Sequence, residues 1–85
     1  MRHKVYKKVA ERDDYLCRVC GTQAVDVHHI VFRSHGGADV PENLICLCRL
    51  HHEMAHSDEP TWRDRLIEMN ETIYGKIDRA KLKKV

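Results

Sequence analysis

Residues 17–56 run CRVCGTQAVDVHHIVFRSHGGADVPENLICLCRLHHEMAH. Two short pairs, Cys17-x-x-Cys20 and Cys48-x-x-His51, bracket the step Asp26-Val27-His28-His29. Thiolate and imidazole donors at this spacing suit a closed, four-coordinate zinc site. The candidate ligands are Cys17, Cys20, Cys48 and His51. Cys48 is preferred to Cys46 because its spacing to His51 fits a knuckle entering a helix; the swap, with Cys46 as ligand, stays open. Inside and just beyond the clamp lies a second set. His52 and His56 are four apart on a predicted helix, so both imidazoles return to nearly the same face. His28 and His29 are neighbours on a predicted strand, where successive side chains diverge. One of them is expected to ligate an ion and the other to stand beside it as a base, a task suited to an imidazole titrating near neutrality.

Working outward, Ala24–Val31 is rich in β-branched residues and predicts a strand. Ser34, Gly36, Gly37, Asp39, Pro41 and Asn43 mark residues 33–43 as a loop. A second short strand follows over Leu44–Leu47, then a helix from Arg49 to about Ser57 that Asp58-Glu59-Pro60 stops. Residues 3–14 predict a helix with Val5, Val9 and Tyr6 on one face, leading into a knuckle over residues 16–21. Another helix starts at Pro60 or Thr61 and carries an apolar stripe of Trp62, Leu66, Met69 and Ile73 to a stop at Gly75. The basic tail, residues 76–85, either frays or continues as a helix. The expected fold is a small α+β domain, strand–loop–strand–helix, stapled by zinc and flanked by N- and C-terminal helices. All 85 residues are expected to form one domain, with residues 11–57 as its motif core.

A chain of 85 residues with one tryptophan, one phenylalanine and three tyrosines has few large side chains with which to build a core. Structural zinc can contribute on the order of 10–16 kcal/mol of apparent folding free energy. Two disulfides in a secreted mini-protein are the alternative use of four cysteines. The absence of an apolar signal segment and the crowding of histidines favour metal in a cytoplasmic protein. No apolar run approaches the ~20 residues that span a bilayer, so a soluble protein is expected. The net charge is only +2, but it gathers at the ends. Arg2, Lys4, Lys7, Lys8 and Arg12 lie at one end, and Lys76, Arg79, Lys81, Lys83 and Lys84 at the other. Such ends suit phosphate contacts, and solubility alone would also explain them.

The ordered set Cys17-x2-Cys20, Asp26-Val27-His28-His29-Ile30, Gly36-Gly37, Pro41-Glu42-Asn43-Leu44 and Leu47-Cys48-x2-His51-His52-x3-His56 resembles the HNH endonucleases, of the ββα-metal (His-Me finger) class, in their zinc-knuckle form. The resemblance implies that His28, His52 and His56 hold a catalytic divalent cation (Mg, Mn, Ni or Zn) and that His29 is the general base. It implies that Asn43 orients the base or supports the metal and that Arg33 contacts phosphate. Asp26 is expected to be structural or to orient a histidine, whereas His3 and His35 are expected to be ordinary surface residues. Phe32 departs from the family, many of whose members have proline there. The implied activity is metal-dependent hydrolysis of DNA, by nicking or double-strand cleavage, with little sequence readout. Small proteins of this kind are often phage or prophage products, some working with a terminase, so a phage terminase or another specificity-giving protein is an implied partner.

Two readings compete. A non-catalytic, zinc-stabilised DNA-binding or adaptor module would use the same scaffold, although His29 and Asn43 would then have no chemical task. A zinc-ribbon interaction domain accounts for the cysteines and leaves His28, His29, His52 and His56 idle.

Overall fold

The computed structural model describes residues 4–84; Arg2, His3 and the start of the helix expected over 3–14 lie partly or wholly outside that range. Helix α1 spans Lys4–Arg12, strands β1 and β2 span Asp26–His29 and Leu44–Leu47, and helices α2 and α3 span Arg49–Ser57 and Glu59–Tyr74. Short 3-10 turns occur at Arg33–His35, Pro41–Asn43 and Arg79–Leu82.

The two strands form an antiparallel ribbon in which Val27 faces Cys46, His28 faces Ile45 and His29 faces Leu44. Side chains alternate between faces along a strand, so this register sorts the ribbon's neighbours. Val27, Leu44 and Cys46 pack with Val9 and Ala10 of α1. Ile45 and Leu47, on the other face, pack with Ala55 of α2, Trp62, Leu66 and Ile67 of α3, and Ile77 and Leu82 beyond it. His28 and His29 therefore start out toward opposite sides, His28 toward α2 and His29 toward α1.

Several boundaries differ from expectation. Helix α1 ends at Arg12 because Asp14 and Tyr15 adopt left-handed backbone (φ 56° and 59°), which turns the chain into the knuckle. Strand β1 is half the expected length. Beyond His29 the chain follows Asn43: Ile30 N donates to Asn43 O, and Val31 N to Asn43 Oδ1. The buried stripe of α3 is Trp62, Leu66, Ile67 and Asn70. Ile73, which the four-residue spacing put on that stripe, is 46 % exposed. Over residues 76–84 the tail does not extend α3; it forms the 3-10 turn at Arg79–Leu82, and residue 85 lies outside the described residues. Ile77 and Leu82 are buried, and Lys83 bridges to Gly37.

A polar network locks α1 to the rest. The Asp13 side chain is fully buried and accepts from Arg12 Nε (2.7 Å), Arg18 Nη1 (3.1 Å) and Cys46 N (3.0 Å). Arg12 also donates to the carbonyls of Pro41 and Leu44, and Arg18 to Asn70 Oδ1 and Met69 O. Arg12 is thus turned inward, which removes it from the basic residues free to meet phosphate. Burial pushes the Asp13 carboxyl pKa up, but hydrogen bonds from Arg12 and Cys46 and the two arginine charges outweigh it, and the net shift is downward. A depressed folded-state pKa gives stability that is present above the unfolded value of ~3.9 and lost as pH falls through the folded one. Asp13→Ala removes the counter-charge of two guanidinium groups and leaves the Cys46 amide without its acceptor, and is expected to cost about 3–5 kcal/mol. Guanidinium unfolding at pH 7 checks this; a midpoint within error of the parent would contradict it.

Candidate metal centres and active site

The first knuckle, the end of β2 and the first turn of α2 bring Cys17, Cys20, Cys48 and His51 together, with one donor atom from each lying within 4.8 Å of all the others. Cys20 Sγ and Cys48 Sγ are 3.7 Å apart, and His51 Nδ1 lies 3.3 Å from Cys48 Sγ and 3.7 Å from Cys17 Sγ. Zn–S bonds of about 2.3 Å put tetrahedral sulfurs about 3.8 Å apart, so the cluster fits a zinc ion. The protein also prepares the donors. Cys48 caps α2, its sulfur accepting from His51 N. That backbone donor, with the His51 ring, Thr22 and Cys20, brings the Cys48 thiol down to about 6 despite a desolvation penalty. Trp62 of α3 packs against the His51 ring (centroids 5.8 Å apart). Cys46 lies outside the cluster. It is buried beneath α1, where burial and the nearby Asp13 charge push its thiol up to about 12.

A second group forms where β1 meets α2. His28, His52 and His56 offer donor atoms within 4.8 Å of one another, and the Nε2 atoms of His52 and His56 are 3.2 Å apart. Imidazole ligands at the usual ~2.0–2.1 Å from one ion span a similar separation. His28 is buried, His52 half-buried and His56 exposed, so the group has a fixed floor and an open mouth. Burial, then the neighbouring His52, His56 and His29, push the His28 pKa down to about 3. Its ring is neutral at physiological pH and keeps a lone pair for a cation. Asp26 Oδ2 lies 3.7 Å from His52 Nε2, while Asp26 Oδ1 accepts from Val27 N.

Phe32 stacks on His56 (centroids 4.6 Å apart, 21°) and meets His28 edge-on (5.7 Å). Its backbone has φ −59°, an angle that proline would also adopt. The loop thus keeps a proline-compatible path while the aromatic ring walls the histidine group.

An open groove of about 270 Å³ runs over this group and is also lined by His29 and Arg33. Arg33 is exposed at its rim. His29 takes no part in the three-histidine group; its Nε2 lies 2.6 Å from Asp39 Oδ1. Among the described residues, no hydrogen bond joins Asn43 to His29. Asn43 is fully buried, accepting from Val31 N and donating to the carbonyls of Val31 and Ala38. Its reach into the site is through the loop that carries residues 31–39. Gly37 belongs to the same tie, since a Cβ there would collide with the Val31 carbonyl. Asp39 and Tyr6 escaped the sequence reading as site residues. Asp39 stood among turn formers and Tyr6 on a helix face, and nothing local links either to His29.

Among known proteins, a model of the family described as HNH endonuclease matches residues 17–58. The chain is also similar to the uncharacterized protein YdfU of Escherichia coli (strain K12), with 34% identity over 67 residues. That match covers 75% of this chain but only 19% of the relative's length. Both donor clusters, the groove and the asparagine-tied loop fall within residues 17–58, the segment that matches the HNH endonuclease domain.

Proposed function

We propose that this chain is a metal-dependent endonuclease that hydrolyses DNA phosphodiester bonds with little sequence preference of its own. The observation that carries this reading is the placement of His29 on the same groove as the three-histidine group. A base and an electrophile site sharing one open groove are what hydrolysis of a backbone phosphate requires.

In this reading Cys17, Cys20, Cys48 and His51 hold structural zinc, and His28, His52 and His56 hold the working cation. That cation supplies positive charge to the phosphate and to the departing oxygen when bound. His29 takes a proton from water, whose oxygen forms the new bond to phosphorus. The bond to the 3′ oxygen breaks, and that oxygen leaves with a proton from solvent. The products are 5′-phosphate and 3′-hydroxyl ends. Arg33, at the rim, holds a phosphate oxygen, and Asn43 acts by holding the loop. Exposed Lys4, Lys7 and Lys8 on α1 extend the backbone contacts. Sequence choice then falls to another protein, such as a phage terminase, and the setting is cytoplasmic. No helix of the described residues is long and apolar enough to cross a membrane.

The test is incubation of the zinc-loaded chain with supercoiled plasmid and Mg, Mn, Ni or added Zn, followed by mapping of the ends. Nicked or linear DNA with 3′-hydroxyl termini is expected in at least one metal. Intact plasmid under every condition would overturn the proposal.

A further inference from the structure

The two nitrogens of His29 have unequal surroundings. Nε2 lies 2.6 Å from Asp39 Oδ1, and the Tyr6 hydroxyl lies 3.2 Å from the same carboxylate oxygen and 3.4 Å from Nε2. The Tyr6 ring stands edge-on to the imidazole, with centroids 5.8 Å apart. A carboxylate only accepts, so the short contact to Nε2 requires a proton on that nitrogen. We propose that Asp39, braced by Tyr6, is a positioning residue that fixes His29 as the Nε2–H tautomer and leaves Nδ1 as the atom that takes the proton from water. The inference rests on the base role proposed above for His29 and specifies which nitrogen acts and what holds the ring.

The supports of Asp39 come from distant parts of the chain. Tyr6 reaches it from α1, across 33 positions of sequence. The segment just before it is pinned by the C-terminal tail, through Ala38 N to Leu82 O (2.8 Å) and Lys84 N to Gly36 O (2.7 Å). Asn43 holds the Ala38 carbonyl from the other side. Asp39 is therefore a fixed acceptor rather than a loop-tip carboxylate that happens to lie near a histidine. When Nδ1 takes its proton, the Nε2–H···Asp39 hydrogen bond stays in place and holds the ring at the groove. No other group need move.

The experiment uses the full zinc-loaded chain. Proton–nitrogen NMR is expected to show a His29 Nε2–H resonance slowed in exchange with water, and Asp39→Ala is expected to abolish it. Asp39→Asn keeps an acceptor oxygen without the charge, and is expected to retain the resonance. In plasmid nicking, Asp39→Ala should lower kcat by ~10–100-fold, the usual range for a partner that orients a working histidine, with KM and zinc content unchanged. Asp39→Asn should fall between the parent and Asp39→Ala, and Tyr6→Phe should lower kcat only a few-fold. The inference is overturned by parental kcat in Asp39→Ala, by a rise in KM alone, or by a protected proton on Nδ1 instead. If the parent chain shows the protected Nε2–H but nicks no DNA, the nuclease reading fails and the inferred catalytic role fails with it. If the parent nicks and Asp39→Ala nicks equally well, only the positioning role fails.

Discussion

Cys17→Ser is expected to leave the chain unfolded at 25 °C, and chelation of zinc from the parent is expected to do the same reversibly. Cys17 is 2 % exposed and belongs to the main core cluster with Ile45, Leu47, Trp62 and Leu66. Its sulfur thus faces both the zinc cluster and the hydrophobic interior. Small domains carry only ~5–15 kcal/mol of net stability, while a structural zinc ion contributes on the order of 10–16 kcal/mol. Loss of the ion therefore exceeds what packing alone can offset. The ribbon has only two strands, and the knuckle, β2 and α2 meet at the cluster. Without the ion, no covalent or sheet connection holds the first knuckle against α2. Circular dichroism should lose its helical signal, and Trp62, packed on His51, should shift its emission toward that of exposed indole. Added zinc should restore both signals in the parent and not in Cys17→Ser. Cys46→Ser is the counterpart, because its thiol lies under α1 and away from the cluster. It should keep its zinc. A folded, helical Cys17→Ser chain, or zinc released only by Cys46→Ser, would defeat this assignment.

The features legible in the sequence were those set by spacing within one element or across one turn. His52 and His56 are placed by helix geometry, and Cys48 and His51 by a cap and the first turn it opens; the structure brings each pair into its donor cluster. The divergence of His28 and His29 follows in the same way from strand alternation. What stayed hidden depends on contacts distant in sequence. The contact between Asp39 and His29 exists because the loop folds back under the pull of Asn43 and the tail. Arg12 looked like a free phosphate-binding charge because the demand of Asp13 for a partner cannot be seen until both are buried. Ile73 fitted the apolar period of α3, but the helix runs past the edge of the core, and the period could not show where the core ends. The docked tail carries too few apolar residues, Ile77 and Leu82, to announce itself by periodicity.

His29→Ala is expected to lower kcat for plasmid nicking by ~10²–10⁴-fold, the range that loss of a general base produces, without loosening the working cation. The reason is the division of labour across the ribbon. His28 points toward α2 and joins His52 and His56, whereas His29 bonds Asp39 on the α1 side and meets the others only at the groove. Truncating His29 removes no donor atom from the three-histidine group, so titration with Mn or Ni should give the parent affinity. His28→Ala should do the reverse. Its ring is buried among His52, His56 and Phe32, and its loss leaves two donors on an exposed helix face, so ion affinity should fall along with activity. Because His29 lines an open groove, free imidazole added to His29→Ala has room to enter and should recover part of the lost rate, though not in His28→Ala. Parental nicking by His29→Ala would remove the base from the mechanism. Loss of the ion from His29→Ala would mean that both neighbours serve the metal, and the proton from water would need another acceptor.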